Sequence, residues 1–157
     1  MKLSEIISPT LISIGLEVSD KRDAIEKMVD LLVSSGNIDN RNDLLDAMFE
    51  REHTMTTGIG HGVAIPHAGI DGIREITVAA ALLAKPIDFE SIDFQPVSII
   101  FAIACPIERG KSYMEILAQI ARLFSNSEFR EKLVSVATAE DFIKIIAAAE
   151  EKSAPNR

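Results

Sequence analysis

TTGIGHGVAIPHA, residues 56–68, sets three glycines, a proline and two histidines between a polar segment of helical pattern and a run of apolar residues. Val63 and Ile65 alternate as one face of a short strand. Pro66 fixes its own φ near −65° and biases Ile65 toward an extended backbone. His67 therefore follows a rigid strand end, and the small Ala68 and Gly69 leave one side of its ring open. Imidazole supplies a neutral nitrogen nucleophile near neutral pH, so His67 is the first candidate for chemistry. A strand-end histidine bonded to a backbone carbonyl is the plainer reading, and spacing alone leaves both open. Gly58, Gly60 and Gly62 permit close backbone approach and positive φ. Such a loop can offer amide N–H groups to an anion, or simply turn. It matches neither the phosphate-loop nor the dinucleotide spacing.

Upstream of this stretch, Ala24, Ile25, Met28, Leu31 and Leu32 recur at helical spacing. Ser19 or Asp20 is placed to cap that helix and Gly36 to stop it. A second helix is expected from about Asn40 to His53. A helical turn closed by Pro9 and a strand over TLISI, residues 10–14, precede both. Downstream, residues 76–84 and 97–105 read as buried strands, separated by the polar segment KPIDFESIDFQP and stopped by Pro106. Helices follow: one with Met114, Leu117, Ile120, Ala121 and Phe124 on a face, one from Ser127, and a last one capped by Thr138 with Asp141. Strands in the middle and helices at both ends predict one α/β domain, a mixed β-sheet flanked by helices on both faces. It should span residues 1–150, with 151–157 a frayed tail.

The 157 residues suit a single core, and 47% hydrophobic with 25% charged residues is ordinary for a globular protein. Aromatics are 5% with no Trp, so the core must be aliphatic. A net charge of −8 without any dense Lys/Arg block excludes a nucleic-acid binder and disfavours anionic membranes. The longest apolar runs are too short to span a bilayer and no signal peptide is visible, which points to the cytoplasm. The single cysteine, Cys105, excludes an internal disulfide and reads as a small buried hydrophobe. His61, His67 and Cys105 lack the ligand spacing of a zinc site, so no metal is expected. Arg51, in the REH triplet at the end of the second helix, has the donor fork that clamps phosphate oxygens, although a solvated helix face is the commoner role. His53 beside it reads as structural.

REHTMTTGIGHGVAIPHA resembles the signature of the fructose/mannitol-type enzyme IIA domains of the phosphoenolpyruvate-dependent sugar phosphotransferase system. The segment Gly60-His61-Gly62-Val63-Ala64-Ile65-Pro66-His67-Ala68 carries the resemblance, IDFESIDFQPVSIIFAIACP and AEDFIKIIAAAE extend it, and it covers almost the whole chain. The T-G-I-G loop is most similar to the nitrogen-regulatory subgroup. The resemblance implies that His67 accepts a phosphoryl group from the phosphohistidine of a small histidine-containing phosphocarrier protein. Arg51 would stabilise the transferring charge, and Thr57, Gly58, Gly60, His61 and Gly62 would line the site. It implies no cofactor, and as further partner either a IIB protein or a regulatory target. Many members carry a second histidine after the strand ending in proline, where this chain has Tyr113. His61 is the residue expected to compensate. The alternative is a non-phosphorylated binding module of the same fold that controls a transporter or enzyme; within the phosphoryl-transfer reading, regulation is favoured over sugar uptake.

Overall fold

In a computed structural model, which describes residues 2–153, Gly and Pro punctuate the chain much as the sequence suggests. The order is α1 (Leu3–Ile6), a 3₁₀ turn (Pro9–Leu11), β1 (Ile12–Leu16), α2 (Lys21–Val33), α3 (Arg41–Thr54), β2 (Gly58–Gly60), β3 (Val63–Ala64), β4 (His67–Ile70), β5 (Thr77–Ile87) and β6 (Val97–Pro106). A second 3₁₀ turn (Ile107–Arg109), α4 (Gly110–Phe124), α5 (Ser127–Val134) and α6 (Ala139–Ser153) complete it. Side-chain caps fix the helix starts. Asp20 accepts from the Asp23 N–H at 2.8 Å, Asn40 from Asp43 at 3.1 Å and Asn126 from Phe129 at 3.1 Å. The Thr138 hydroxyl accepts from the Asp141 N–H at 3.1 Å. Each such cap satisfies an N–H that the helix leaves unpaired.

The first strand begins at Ile12 rather than Thr10, because Pro9 opens a 3₁₀ turn that consumes Thr10 and Leu11. The strand expected over 76–84 runs on to Ile87, and α6 runs through Ser153 into the segment expected to fray. The remainder of that expected tail, 154–157, lies outside the described residues.

The sheet is mixed, in the order β1-β5-β6-β3-β2, with β4 also on β6. β6 is antiparallel to β5 and parallel to both β3 and β4. β3 and β4 are thus one strand interrupted at Ile65-Pro66. The interruption loses little: the Ile65 N–H donates to the Thr57 carbonyl at 2.9 Å, and the Pro66 carbonyl accepts from the Ile103 N–H at 3.0 Å. β6 is apolar and almost wholly buried along its length, as expected of a strand covered on both faces.

Alternation divides the core in two. Ala64, Ala68, Ile100, Ala102 and Ala104 pack under α2 and α3. Val63, Ile65, Ile99, Phe101 and Ile103 pack under α4, α5 and α6. On this second side Phe101 meets Phe124 edge-on at 5.8 Å and Phe142 at 5.9 Å. Alanines dominate the strand positions under α2 and α3, while Phe101, Phe124, Phe129 and Phe142 pack together on the other side. The α6 residue Glu150 joins the chain's two ends. Its carboxylate accepts from the Leu3 N–H at 2.7 Å and the Ser4 N–H at 3.1 Å, so it caps α1 from 147 residues away.

Candidate functional site

His67 opens β4, opposite Ile103 of β6, and is 6% exposed. Its Nδ1 lies 2.7 Å from the Ile65 carbonyl oxygen. A carbonyl only accepts, so Nδ1 carries the proton and the neutral ring's lone pair sits on Nε2. The plain and the chemical readings of this histidine are therefore one arrangement: the backbone bond orients the ring and fixes its tautomer. Tyr113, on the first turns of α4, covers it with ring centroids 5.3 Å apart and planes tilted by 42°. Burial is the main force holding the His67 pKa below the usual histidine value; the Ile65 carbonyl opposes it, the Arg51 charge adds to it, and Glu52 opposes it weakly. At neutral pH the imidazole is uncharged.

Arg51 and Glu52 reach this ring's field from the last turn of α3. Arg51 donates from Nη1 to the Met55 carbonyl at 2.8 Å, which closes the helix end and aims the guanidinium. Glu52 is 7% exposed and fully engaged. It accepts from the Thr57 N–H at 2.8 Å and the Thr57 hydroxyl at 2.5 Å, and pairs with Lys21 of α2 at 3.0 Å. Lys21 also sits 4.9 Å over the Phe89 ring. The sequence reading passed over Glu52, although it stands beside Arg51 in the same triplet. Its role depends on Lys21, a partner thirty-one positions earlier, which no local pattern reveals.

Of the two readings open for the glycine stretch, anion loop or simple turn, the geometry is that of an edge strand and a turn. Gly58–Gly60 form the edge strand β2, antiparallel to β3, and His61-Gly62 make the turn. Gly60, His61 and Gly62 all have positive φ, at 95°, 57° and 78°. A Cβ on Gly58 would lie 2.9 Å from the Ser91 Cα, so glycine is needed there for the 88–96 loop to approach. Three amides of the stretch are already engaged by side chains. Thr57 N–H serves Glu52, Gly58 N–H donates to the Thr56 hydroxyl at 3.1 Å, and His61 N–H donates to the Asp93 carboxylate at 3.2 Å. The only hydroxyl of Thr57 is likewise spent on Glu52.

The structure brings His67, Tyr113, Arg51 and Glu52 together and leaves His61 aside. β3 and β4 pair with the same strand, Val63 opposite Ile99 and His67 opposite Ile103. Four ladder positions at ~3.3 Å each place Val63 ~13 Å from His67, and His61 is farther still. An exposed imidazole in that turn is not positioned to assist the ring at the other end. Cys105 is buried, its Sγ contacts the Pro106 carbonyl at 3.1 Å, and burial raises its pKa, so it stays a thiol. Three apolar side chains on the segments that flank the site are exposed: Met55, whose carbonyl holds Arg51; Ile107, which follows β6 near Gly69; and Met114, next in sequence to Tyr113. No helix among the described residues is long and apolar enough to cross a membrane.

The mixed sheet between two helical layers is a fold that known proteins share. Residues 5–149 match the family described as phosphoenolpyruvate-dependent sugar phosphotransferase system, EIIA 2, and the chain belongs to that family. It is 37% identical over 145 residues to a PTS system fructose-specific EIIA component of Haloferax volcanii, covering 92% of this chain and 94% of that one. It is 30% identical over 146 residues to a PTS system fructose-specific EIIABC component of Bacillus subtilis, covering 93% of this chain but 23% of that longer one. The crystal structure of nitrogen regulatory protein IIA-Ntr from Neisseria meningitidis superposes with a TM-score of 0.86 at 32% identity, covering 92% of this chain and 98% of that one.

Proposed function

We propose that this protein accepts a phosphoryl group on Nε2 of His67 from the phosphohistidine of a small phosphocarrier protein. The observation that carries the reading is the Nδ1–H bond to the Ile65 carbonyl, which leaves Nε2 as the nucleophile. In the step, the donor's N–P bond breaks as the His67 Nε2–P bond forms. The donor imidazole regains its lone pair and no other group is consumed. Arg51 faces the charge on the equatorial oxygens, and the Tyr113 hydroxyl is a neutral donor where an imidazolium would otherwise stand. Met55, Ile107 and Met114 supply an apolar rim on which the carrier can seat. The relatives divide between sugar uptake and regulation; both uses share the acceptor step, and the onward partner is a IIB protein in the first and a regulatory target in the second.

The test is to incubate the chain with phosphoenolpyruvate, enzyme I and phosphocarrier, and to read intact mass. Wild type gains one acid-labile, base-stable phosphoryl group and His67→Ala gains none. No gain by wild type, under conditions that label an authentic family member, leaves the binding-module reading in its place.

The depressed His67 pKa adds a pH prediction. The unfolded chain's histidine takes up a proton near 6.5, while the folded one does so only at lower pH. The acceptance rate therefore holds as pH falls through 6.5 and declines below it. In the same window the unfolded state binds more protons, so stability falls as the pH is lowered from the unfolded value toward the folded one. A pH–rate profile with its acid limb at or above 6.5 would contradict the buried neutral ring.

A further inference from the structure

At the end of the molecule away from Tyr113, the last turn of α4 together with α5 and α6 encloses a groove of about 290 Å³. It is some nine residues along α4 from Tyr113, roughly 14 Å at 1.5 Å per residue, so it is separate from the His67 site. Its floor is apolar: Leu123, Phe129 and Ile145 face into it. Its walls carry four cations, Arg122, Lys132, Lys144 and Lys152, against one carboxylate, Glu128. Glu128 pairs with Lys132 at 3.0 Å, and Lys152 acts on the same carboxylate, so that one negative charge is already countered. In a chain of net charge −8, such a concentration of positive charge around an apolar floor is a local reversal. A shallower depression along α5 and α6 shares Lys132, Lys144 and Ile145 but adds the carboxylates Glu131 and Asp141, so the excess of positive charge is confined to the groove beside the end of α4.

We propose that this groove binds a small amphipathic anion, a medium-chain acyl carboxylate, with the chain over Phe129 and Ile145 and the carboxylate between Arg122 and Lys144. The volume suits it: at ~30 Å³ per water- or methylene-sized group, the groove holds roughly ten. That is the low end of small-molecule sites, which favours a small ligand over a folded partner. Apolar burial supplies affinity and the cations select the charge.

The test is an ¹⁵N NMR titration of the intact protein with decanoate below its micelle threshold, with decyltrimethylammonium and an acidic amphipathic peptide in parallel. Decanoate is expected to give saturable shifts in the amides of α5 and α6, and decyltrimethylammonium none. The exposed Ala148 borders the groove, and Ala148→Phe fills it and abolishes the shifts. The double variant Arg122→Glu with Lys144→Glu weakens binding roughly tenfold, since two attractions become repulsions. All these side chains are exposed, and unchanged spectra elsewhere confirm that the variants fold. The proposal is overturned if decanoate does not saturate, if the cation binds as tightly, if the shifts survive Ala148→Phe, or if only the peptide binds.

Discussion

Arg51→Ala is expected to slow phosphoryl acceptance by His67 about 10²–10³-fold while leaving the fold intact, the loss typical when one preorganised charge on a transferring group is removed. The arginine's backbone contact is a single hydrogen bond to the Met55 carbonyl at 2.8 Å, worth ~1 kcal/mol and partly replaced by water. Its charge, in contrast, acts on a ring that is 6% exposed, where solvent screens poorly. The two contributions separate in one experiment. Rapid-quench transfer from phosphorylated carrier reads the rate, and urea unfolding reads the stability. Arg51→Lys keeps the charge without the fork and should recover part of the rate. A rate within threefold of wild type for Arg51→Ala, with stability lowered, would make this a helix-end residue and nothing more. Removing the guanidinium also lets the His67 pKa rise, so the acid limb of the variant's profile should move up.

The second large effect is on stability. Glu52→Ala deletes the acceptor for the Thr57 N–H and hydroxyl and strands Lys21, whose side chain is 19% exposed. Breaking a buried pair by removing one partner costs ~3–5 kcal/mol, and the lower part of that range applies because Lys21 borders an open depression and can reach water. For a chain of this size the loss lowers Tm by ~6–12 °C, at ~2–4 °C per kcal/mol. Glu52→Gln keeps an oxygen for Thr57 and loses only the charge, so it should cost about half as much. Thermal or urea unfolding decides it; a loss under ~1 kcal/mol for Glu52→Ala would mean that Thr57 and Lys21 find other partners.

Most of the architecture was legible because local signals agree with one another. Asp20, Asn40, Asn126 and Thr138 occupy the helix starts, Gly36 and Pro106 end elements, and the apolar runs of β5 and β6 divide by alternation between the two cores. The 56–62 segment was less legible. A glycine-rich edge strand has no side chains to alternate, so a three-residue strand and an anion loop look the same in sequence. His61 misled for a related reason. Six positions from one histidine to the other is close along the chain, yet in extended backbone it is ~20 Å. The neighbours of His67 came from elsewhere: Tyr113 forty-six positions on, and the Glu52–Lys21 pair from the facing ends of two helices.

The carboxylate of Glu150, which holds the amides of Leu3 and Ser4, has a consequence for how this domain can be combined with others. Entry to and exit from the fold lie within one side chain's reach. A longer polypeptide can therefore pass in and out at a single corner without spanning the sheet, and the domain can be spliced into it as a self-contained cassette. Such splicing suits a family whose Bacillus subtilis relative is about four times the length of the matched region, with this domain covering 23% of it.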